Sequence, residues 1–477
     1  MLEVFASLIG AISNIMYSYL LIIMLLAVGL YFTMRMGLGQ LSLLGESIRV
    51  VGEKSEDEKA VSSFEALMVS TASRVGTGNV VGVANAIAIG GYGAVFWMWV
   101  IAIVGSASAF VESTLAQIYK KSDGEGGSYG GPSYYIEAVL RSRGLGIVFA
   151  LSLIATYAGG FNMLAAYNLI DSLSGYGFYT TLVDASGNSL VPMVGGGLLA
   201  VAVGICIFGG GKRIVKVTGV LVPIMGVLYI AMALLVMVLN IGTIPAVLGH
   251  IFADAFDFQA IFGGFAGSAI MQGIKRGLYS NEAGVGSAPN AAAAAMVSHP
   301  VKQGLVQMLS VFIDTILVCT ATAMMCLSSG LVPSPELKGA PFVQAALEGT
   351  FGSFGPFFIT FALLLFAFTT LLGNLFYCEG CLNYIAGRPV VGMAMTCFRT
   401  AAVVIVFIGA QLSFGLVWDI ADVLMGIMAL INLPVIVLLG NTALKALADY
   451  KAQRAAGKNP VFKASSIGLC EDTDFWK

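Results

Sequence analysis

The sequence predicts an all-α polytopic membrane protein. Three observations carry that prediction: an apolar composition, the spacing of the long apolar runs, and the one-sided placement of basic residues. Hydrophobic residues fill 58% of the 477 positions and charged ones 10%, with a mean hydropathy of +0.90. A soluble chain carries about a quarter charged residues, so lipid is the solvent for most of this one. The net charge of −2 says little about partners beside that. The start, Met1 to Asn14, lacks a basic leader and runs into a full-length apolar span, so no cleavable signal is expected. Seven cysteines, most inside apolar runs, do not read as a secreted disulfide framework.

Crossing a bilayer takes about 20 apolar residues. Eleven stretches qualify, near 14–34, 63–89, 94–119, 146–173, 191–208, 217–240, 260–296, 303–329, 355–378, 394–412 and 417–440. The seventh is too long for one straight helix and fits a broken one. Basic residues test the map. Alternate loops hold Arg35, Arg49, Lys54 and Lys59; Lys120, Lys121, Arg141 and Arg143; and Lys212, Arg213 and Lys216. They continue with Lys302, with Arg388 and Arg399, and with Lys445, Lys451, Arg454, Lys458, Lys463 and Lys477 in the tail, while the other side holds only Lys338. The positive-inside rule then puts the N-terminus outside and the C-terminus in the cytoplasm of a plasma-membrane protein.

Two spans are interrupted by polar residues and glycine. The first interruption is Thr71-Ala72-Ser73-Arg74-Val75-Gly76-Thr77-Gly78-Asn79, and the second is Tyr279-Ser280-Asn281-Glu282-Ala283-Gly284-Val285-Gly286. Such residues are costly at membrane depth unless they face a ligand or a wet cavity. With the first span set aside, ten remain, and each set of five opens with its broken helix. Because five is odd, the two sets have opposite orientation, an inverted repeat of the secondary-transporter kind. The expected divisions are 1–62 for the leading span and its loop, 63–240 and 241–440 for the repeats, and 441–477 for a cytoplasmic tail.

From Gly90 to Gly105 the chain reads Gly-Gly-Tyr-Gly-Ala-Val-Phe-Trp-Met-Trp-Val-Ile-Ala-Ile-Val-Gly, which resembles the signature of the alanine-or-glycine:cation symporter family. Val75-Gly76-Thr77-Gly78-Asn79, the run from Gly273 through Gly284, and Gly286-Ser287-Ala288-Pro289 resemble the same family, in the same order. The resemblance implies a leucine-transporter-like core of five plus five helices with one extra N-terminal helix. It also implies sodium-coupled uptake of a small neutral amino acid, with no organic cofactor and no nucleic-acid partner.

An unwound helix exposes amides at one half-helix start and carbonyls at the other's end, which together suit a zwitterion. Gly76, Thr77 and Gly78 are expected to offer amides to a carboxylate, and Asn79 an amide oxygen to a cation or the substrate. The resemblance places further substrate contacts at Tyr279, Ser280, Asn281 and Glu282, with Thr71 and Thr370 as additional candidates. Glu282 would serve the ammonium group or pair with Arg74. Arg74 itself would bind a carboxylate or pair with Glu282, Asp314 or Glu112. For sodium, the resemblance points to the carbonyls of Ala72, Val75 and Phe366 and the hydroxyls of Thr369 and Thr370. Positions 366, 369 and 370 share a helix face, although buried threonines commonly bond their own backbone.

Three positions depart from familiar members: Ala165 where a substrate-contacting glutamine is expected, Gln272 where an aromatic residue is common, and Arg74 where threonine is common. They leave room for a larger neutral amino acid such as glutamine. Proton coupling, with Asp314 as carrier, is the other open alternative. Lys275 and Arg276 line an outer vestibule or snorkel. Cys378 and Cys381 form a lone pair without a second set for zinc. His250 and His299 read as surface residues, Trp97 and Trp99 as interfacial anchors, and the Gly-rich stretch Ser122 to Pro132 lacks the ending of a phosphate loop. The tail beyond Asn441 reads as a short helix followed by a flexible end. No nucleophile–base or metal set supports an enzyme, and no repeated filter supports an ion channel.

Overall fold

The structure, a computed structural model, describes residues 2–53, 61–122, 124, 126–256, 268–469 and 473–477. In chain order the helices are α1 (Val4–Arg35), α2 (Leu44–Val51), α3 (Ser63–Arg74), α4 (Gly78–Gly90), α5 (Gly93–Ile118), α6 (Pro132–Leu140), α7 (Arg143–Asp171), α8 (Val191–Ile207) and α9 (Gly211–Leu239). They continue as α10 (Ile244–Ala255), α11 (Ala269–Asn281), α12 (Pro289–Ala294), α13 (Pro300–Ser328), α14 (Ala340–Phe351), α15 (Phe354–Ala386), α16 (Met393–Gly409) and α17 (Phe414–Ala455). Among the described residues, seven of these are long and apolar enough to cross a membrane: α1, α5, α7, α9, α13, α15 and α17. The apolar helices α8 and α16 are shorter, and α3–α4 and α11–α12 are the two interrupted spans. Residues 260–267 of the expected seventh span lie outside the described residues.

Local chemistry sets many of these boundaries. Ser62 and Glu65 form a reciprocal capping box that starts α3. Proline, which lacks the amide a first turn leaves unused, opens α6, α8, α10, α12, α13 and α14. Wide turns at Met16–Leu21, Ala155–Phe161 and Phe312–Cys319 bulge α1, α7 and α13, and a fourth, Gly78–Gly82, follows the first break. Small residues let the core helices approach closely. A Cβ on Gly277 would overlap Ile101 of α5, and one on Gly304 would overlap Thr114 of α5.

Loops assigned to one side by their basic residues touch one another. Lys302 pairs with Glu53 at 2.6 Å, Arg454 with Glu46 at 3.0 Å, and Arg399 with Glu379 at 2.7 Å. At the other end, Gln344 donates to the Ser172 carbonyl and Trp97 to that of Ala255. Two expectations fail on this basic face. The tail does not fray after a short helix: α17 runs to Ala455, and Phe462 and Trp476 are buried. Scattered aromatic side chains in a polar stretch find an apolar seat that only the assembled face provides. His299 is not a surface residue either. It is fully buried, its ring lies against Tyr450 and Phe462, its Nδ1 accepts from the Val301 amide, and burial pushes its pKa down.

Candidate functional site

The first break lies at Val75–Thr77. Val75 leaves helical geometry, and Asn79 caps the break by accepting from the Gly76 amide at 2.9 Å. One amide expected to face a substrate carboxylate is thus taken by the chain's own side chain. Thr77 and Gly78, opening α4, are the anion-seeking positions that are left. The second break runs over 282–288. Tyr279, Ser280 and Asn281 are still helical, and Glu282 turns into the left-handed region at φ 53°. Gly284 and Gly286 follow with φ of 83° and 91°, which glycine alone adopts freely.

The two breaks are adjacent. Asn79 Nδ2 donates to Ser280 Oγ at 2.9 Å and to Asp314 Oδ1 at 2.7 Å, while Ser280 Oγ donates to Asp314 Oδ2 at 2.6 Å. Thr315 Oγ1 adds a donor at 2.7 Å, so the fully buried Asp314 side chain receives neutral donors and no ion pair among the described residues. A Cβ on Gly78 would overlap the Tyr279 ring, so these glycines also permit close packing. Tyr279 in turn lies between Phe161 and Trp418, at 4.8 and 5.0 Å between ring centres.

The sodium candidates separate. Thr370 Oγ1 is buried, has no hydrogen-bond partner among the described residues, and sits where a Cβ on Gly76 would overlap it. Thr369 instead bonds its own helix, donating to Leu365 O at 2.9 Å and Phe366 O at 3.2 Å. That follows the ordinary habit of a helical threonine. Ala72 and Phe366 are fully buried, and Val75 nearly so. Beside them Ser73 donates to Asn374 Oδ1, and Asn374 donates to Asn162 Oδ1, so α3, α15 and α7 are tied at one level.

Other candidates fall differently. Arg74 makes no ion pair with Glu282, Asp314 or Glu112: its Nη1 donates to the Gln307 carbonyl at 3.3 Å, while Nε and Nη2 are buried without partners among the described residues. Glu282 accepts from Ser287 at 2.7 Å. Glu112 accepts from Asn432 at 2.8 Å and from the Gly284 amide at 3.4 Å, which fastens the second break to α5 and α17. Thr71 and Val75 line an apolar groove of about 530 Å³ between α3, α9 and α13. Ala165 is buried on the α7 face between Phe161 and Asn168, and Asn168, not Ala165, reaches the first break by donating to Thr77 Oγ1 at 2.9 Å. Lys275 and Arg276 do not snorkel: both pair with the fully buried Asp422 at 2.8 Å.

Asn168, Phe161, Trp418 and Asp422 were missed as site residues. Only Asp422, a carboxylate within an apolar run, carried a sequence signal. Cys378 and Cys381 are free and buried in α15.

The profile of the sodium:alanine symporter family matches residues 2–464. The chain belongs to that family. Among its members, the amino-acid carrier protein AlsT of Bacillus subtilis is 46% identical over 99% of this chain and 98% of its own length. The probable sodium/glutamine symporter GlnT of the same organism is 42% identical over 97% and 94%. The sodium/alanine symporter AgcS of Methanococcus maripaludis is 38% identical over 95% and 98%. Among solved structures, a manganese transporter of Eremococcus coleocola superposes with a TM-score of 0.53 at 14% identity, covering 89% of this chain and 84% of that one. That likeness shows the fold, a leucine-transporter-like core. This member of the family is a multi-pass membrane transporter and not an enzyme.

Proposed function

We propose that this chain is a sodium-coupled symporter that imports a small neutral amino acid, alanine or glycine first, across the plasma membrane. The core rocks around a site at mid-membrane depth, which opens to each side in turn. On this reading the chain crosses eleven times, with the N-terminus outside and the basic face in the cytoplasm. Residues 63–240 and 241–440 form the inverted repeats, 1–62 the leading span and its loop, and 441–477 the tail.

The observation that carries the reading is the apposition of the two breaks through Asn79, Ser280 and Asp314. The amides of Thr77 and Gly78 bind the substrate carboxylate, with Gly76 and Asn79 shaping the turn. Asn281 and Glu282, and the ring of Tyr279, complete the pocket, and Arg74 balances its carboxylates. Sodium sits among the carbonyls of Ala72, Val75 and Phe366 and the Thr370 hydroxyl, with Thr369 behind it. The unpartnered Thr370 oxygen beside Gly76 supports that placement.

Uptake of labelled neutral amino acids into liposomes, driven by a sodium gradient, tests the reading. Asn79→Ala, which unties the two breaks, and Thr370→Ala, which removes a sodium ligand, should each slow uptake by roughly one to two orders of magnitude, and Thr369→Ala far less. Near-normal uptake by both of the first two refutes the site, and large unsaturable sodium currents would indicate a channel. Proton coupling is favoured by one observation, that Asp314 receives only neutral donors, and uptake driven by a proton gradient alone would establish it. A larger substrate such as glutamine would fit the small side chain of Ala165, and the same screen decides between them.

A further inference from the structure

We propose that the C-terminal tail is a clasp that holds the second broken helix closed on the basic face, and that it lets go when the site opens there. The inference rests on the alternating-access reading. It begins at α12, the short half-helix after the second break, whose last carbonyls have no helix to receive them. Side chains from the end of α5 receive them instead. Gln117 Nε2 donates to the carbonyls of Ala292 and Ala295, and Lys120 Nζ donates to Ala295 O at 2.8 Å. Ser128, in the hairpin that follows α5, donates to Ala293 O at 2.8 Å.

The tail fixes those same residues from the other side. Trp476 Nε1 donates to the Gln117 carbonyl at 2.8 Å, and the Lys120 ammonium lies 4.6 Å from the Phe475 ring centre and 5.4 Å from that of Trp476. Asp474 pairs with Lys121 at 2.8 Å. The Phe462 amide donates to Ser298 O at 2.9 Å, and the Ala464 amide donates to Trp476 O at 2.8 Å, so the tail folds back on itself across the 295–299 connection. Phe462 and Trp476 pack ring to ring at 5.5 Å.

Lys120 marks this contact as one built to open. It is 1% exposed, yet it meets no carboxylate among the described residues. An ammonium held by a carbonyl and two rings regains much of its hydration when released, so these described contacts open at small cost. Beside the clasp, a crevice of about 420 Å³ opens on the basic face between Ser128, Asn290, Ala294 and Glu379. At its foot Cys381 Sγ lies 3.9 Å from Asn290 Oδ1 of α12. Movement of α12 away from α15 would uncover that thiol.

The test is the rate at which N-ethylmaleimide alkylates Cys381 in the full-length protein in liposomes, read residue by residue by mass spectrometry. Trp476→Ala should raise that rate about tenfold, the worth of a hydrogen bond and a ring contact together. Trp476→Phe, which keeps the ring and loses the donor, should fall between. An unchanged Cys381 rate in both variants overturns the proposal. If Trp476→Ala does not accumulate, the Phe variant decides alone: a rate equal to the parent's overturns the clasp. Because the readout needs neither substrate nor sodium, failure of the amino-acid assignment would show in uptake and leave this result standing.

Discussion

The second broken helix is fastened at one end to α17 and at the other to the end of α5, by unlike means. Toward the face with few basic residues, Asp422 of α17 receives Lys275 Nζ and both outer nitrogens of Arg276. Arg276 also lies 4.3 Å over the Trp418 ring, and Lys275 donates to Ser13 of the leading helix. Toward the basic face, α12 is held by Gln117 and Lys120, which the tail beyond α17 backs with aromatic rings. The first fastening is a buried charge cluster in which two cations share one carboxylate. The second is a cation resting on dipoles and rings. Removing one partner from a buried pair leaves an uncompensated charge, whereas a cation held by a carbonyl and rings exchanges those contacts for water with less loss. The difference teaches that the two halves of the second broken helix are held with unlike strength, the charge cluster being the stronger.

The largest effect should come from Asp422→Asn, which strands two adjacent buried cations and should destabilise the protein by about 3–5 kcal/mol. Thermal unfolding in detergent should show a clear fall in Tm, and sodium-driven uptake should be lost. A Tm within error of the parent would mean that the cluster contributes little and that the comparison is wrong at its stronger end.

The sequence announced the breaks because polar residues and glycine stand out where lipid demands apolar side chains. It also gave their neighbourhood in outline, through orientation and loop charge. Which side chains meet was less legible, because that depends on helix rotation and depth. Thr369 and Thr370 differ by one position, yet one bonds its own helix and the other faces Gly76. Ala165 and Asn168 share a face of α7, but only Asn168 is long enough to reach Thr77. Asp422 stood out as a carboxylate inside an expected span, but no spacing named Lys275 and Arg276 as its partners. The tail hid its docking because Phe462, Phe475 and Trp476 follow no helical or strand period. Their common surface exists only once α5, α12 and α13 have assembled.

Lys120→Met sharpens the comparison from the weaker end. The substitution keeps the apolar stem and removes a buried charge that meets no carboxylate among the described residues. Removing the charge removes the cost of keeping an ammonium out of water. The basic face should therefore close more firmly, with Cys381 alkylation slowed several-fold and uptake slowed with it. The opposite sign from Asp422→Asn is the point: one change takes the shared carboxylate from two buried cations, and the other removes a buried cation. Faster Cys381 alkylation in Lys120→Met would show that the cation holds the clasp shut by its charge.

The smallest effect lies at the support of α17 on the basic face, where Glu46 of α2 accepts from Tyr450 at 2.6 Å and pairs with Arg454 at 3.0 Å. Hydrogen bonds from Arg49, and then from Tyr450, hold the Glu46 carboxyl down at about 2, below its ordinary 4.5. A folded-state value below the unfolded one means that the unfolded chain binds more protons between the two. This contribution to stability is therefore fully present above about 4.5 and is lost as pH falls toward 2. The pair is partly exposed, and exposed pairs are worth little, about 0–1 kcal/mol. Glu46→Gln should thus lower Tm by only about one or two degrees at pH 7. The gap between parent and variant should close as the pH is taken from 5 to 3. A gap that stays constant across that range would place the role of Glu46 in packing against Tyr450 and not in its charge, and α17 would then be anchored by charge at Asp422 but not at Glu46.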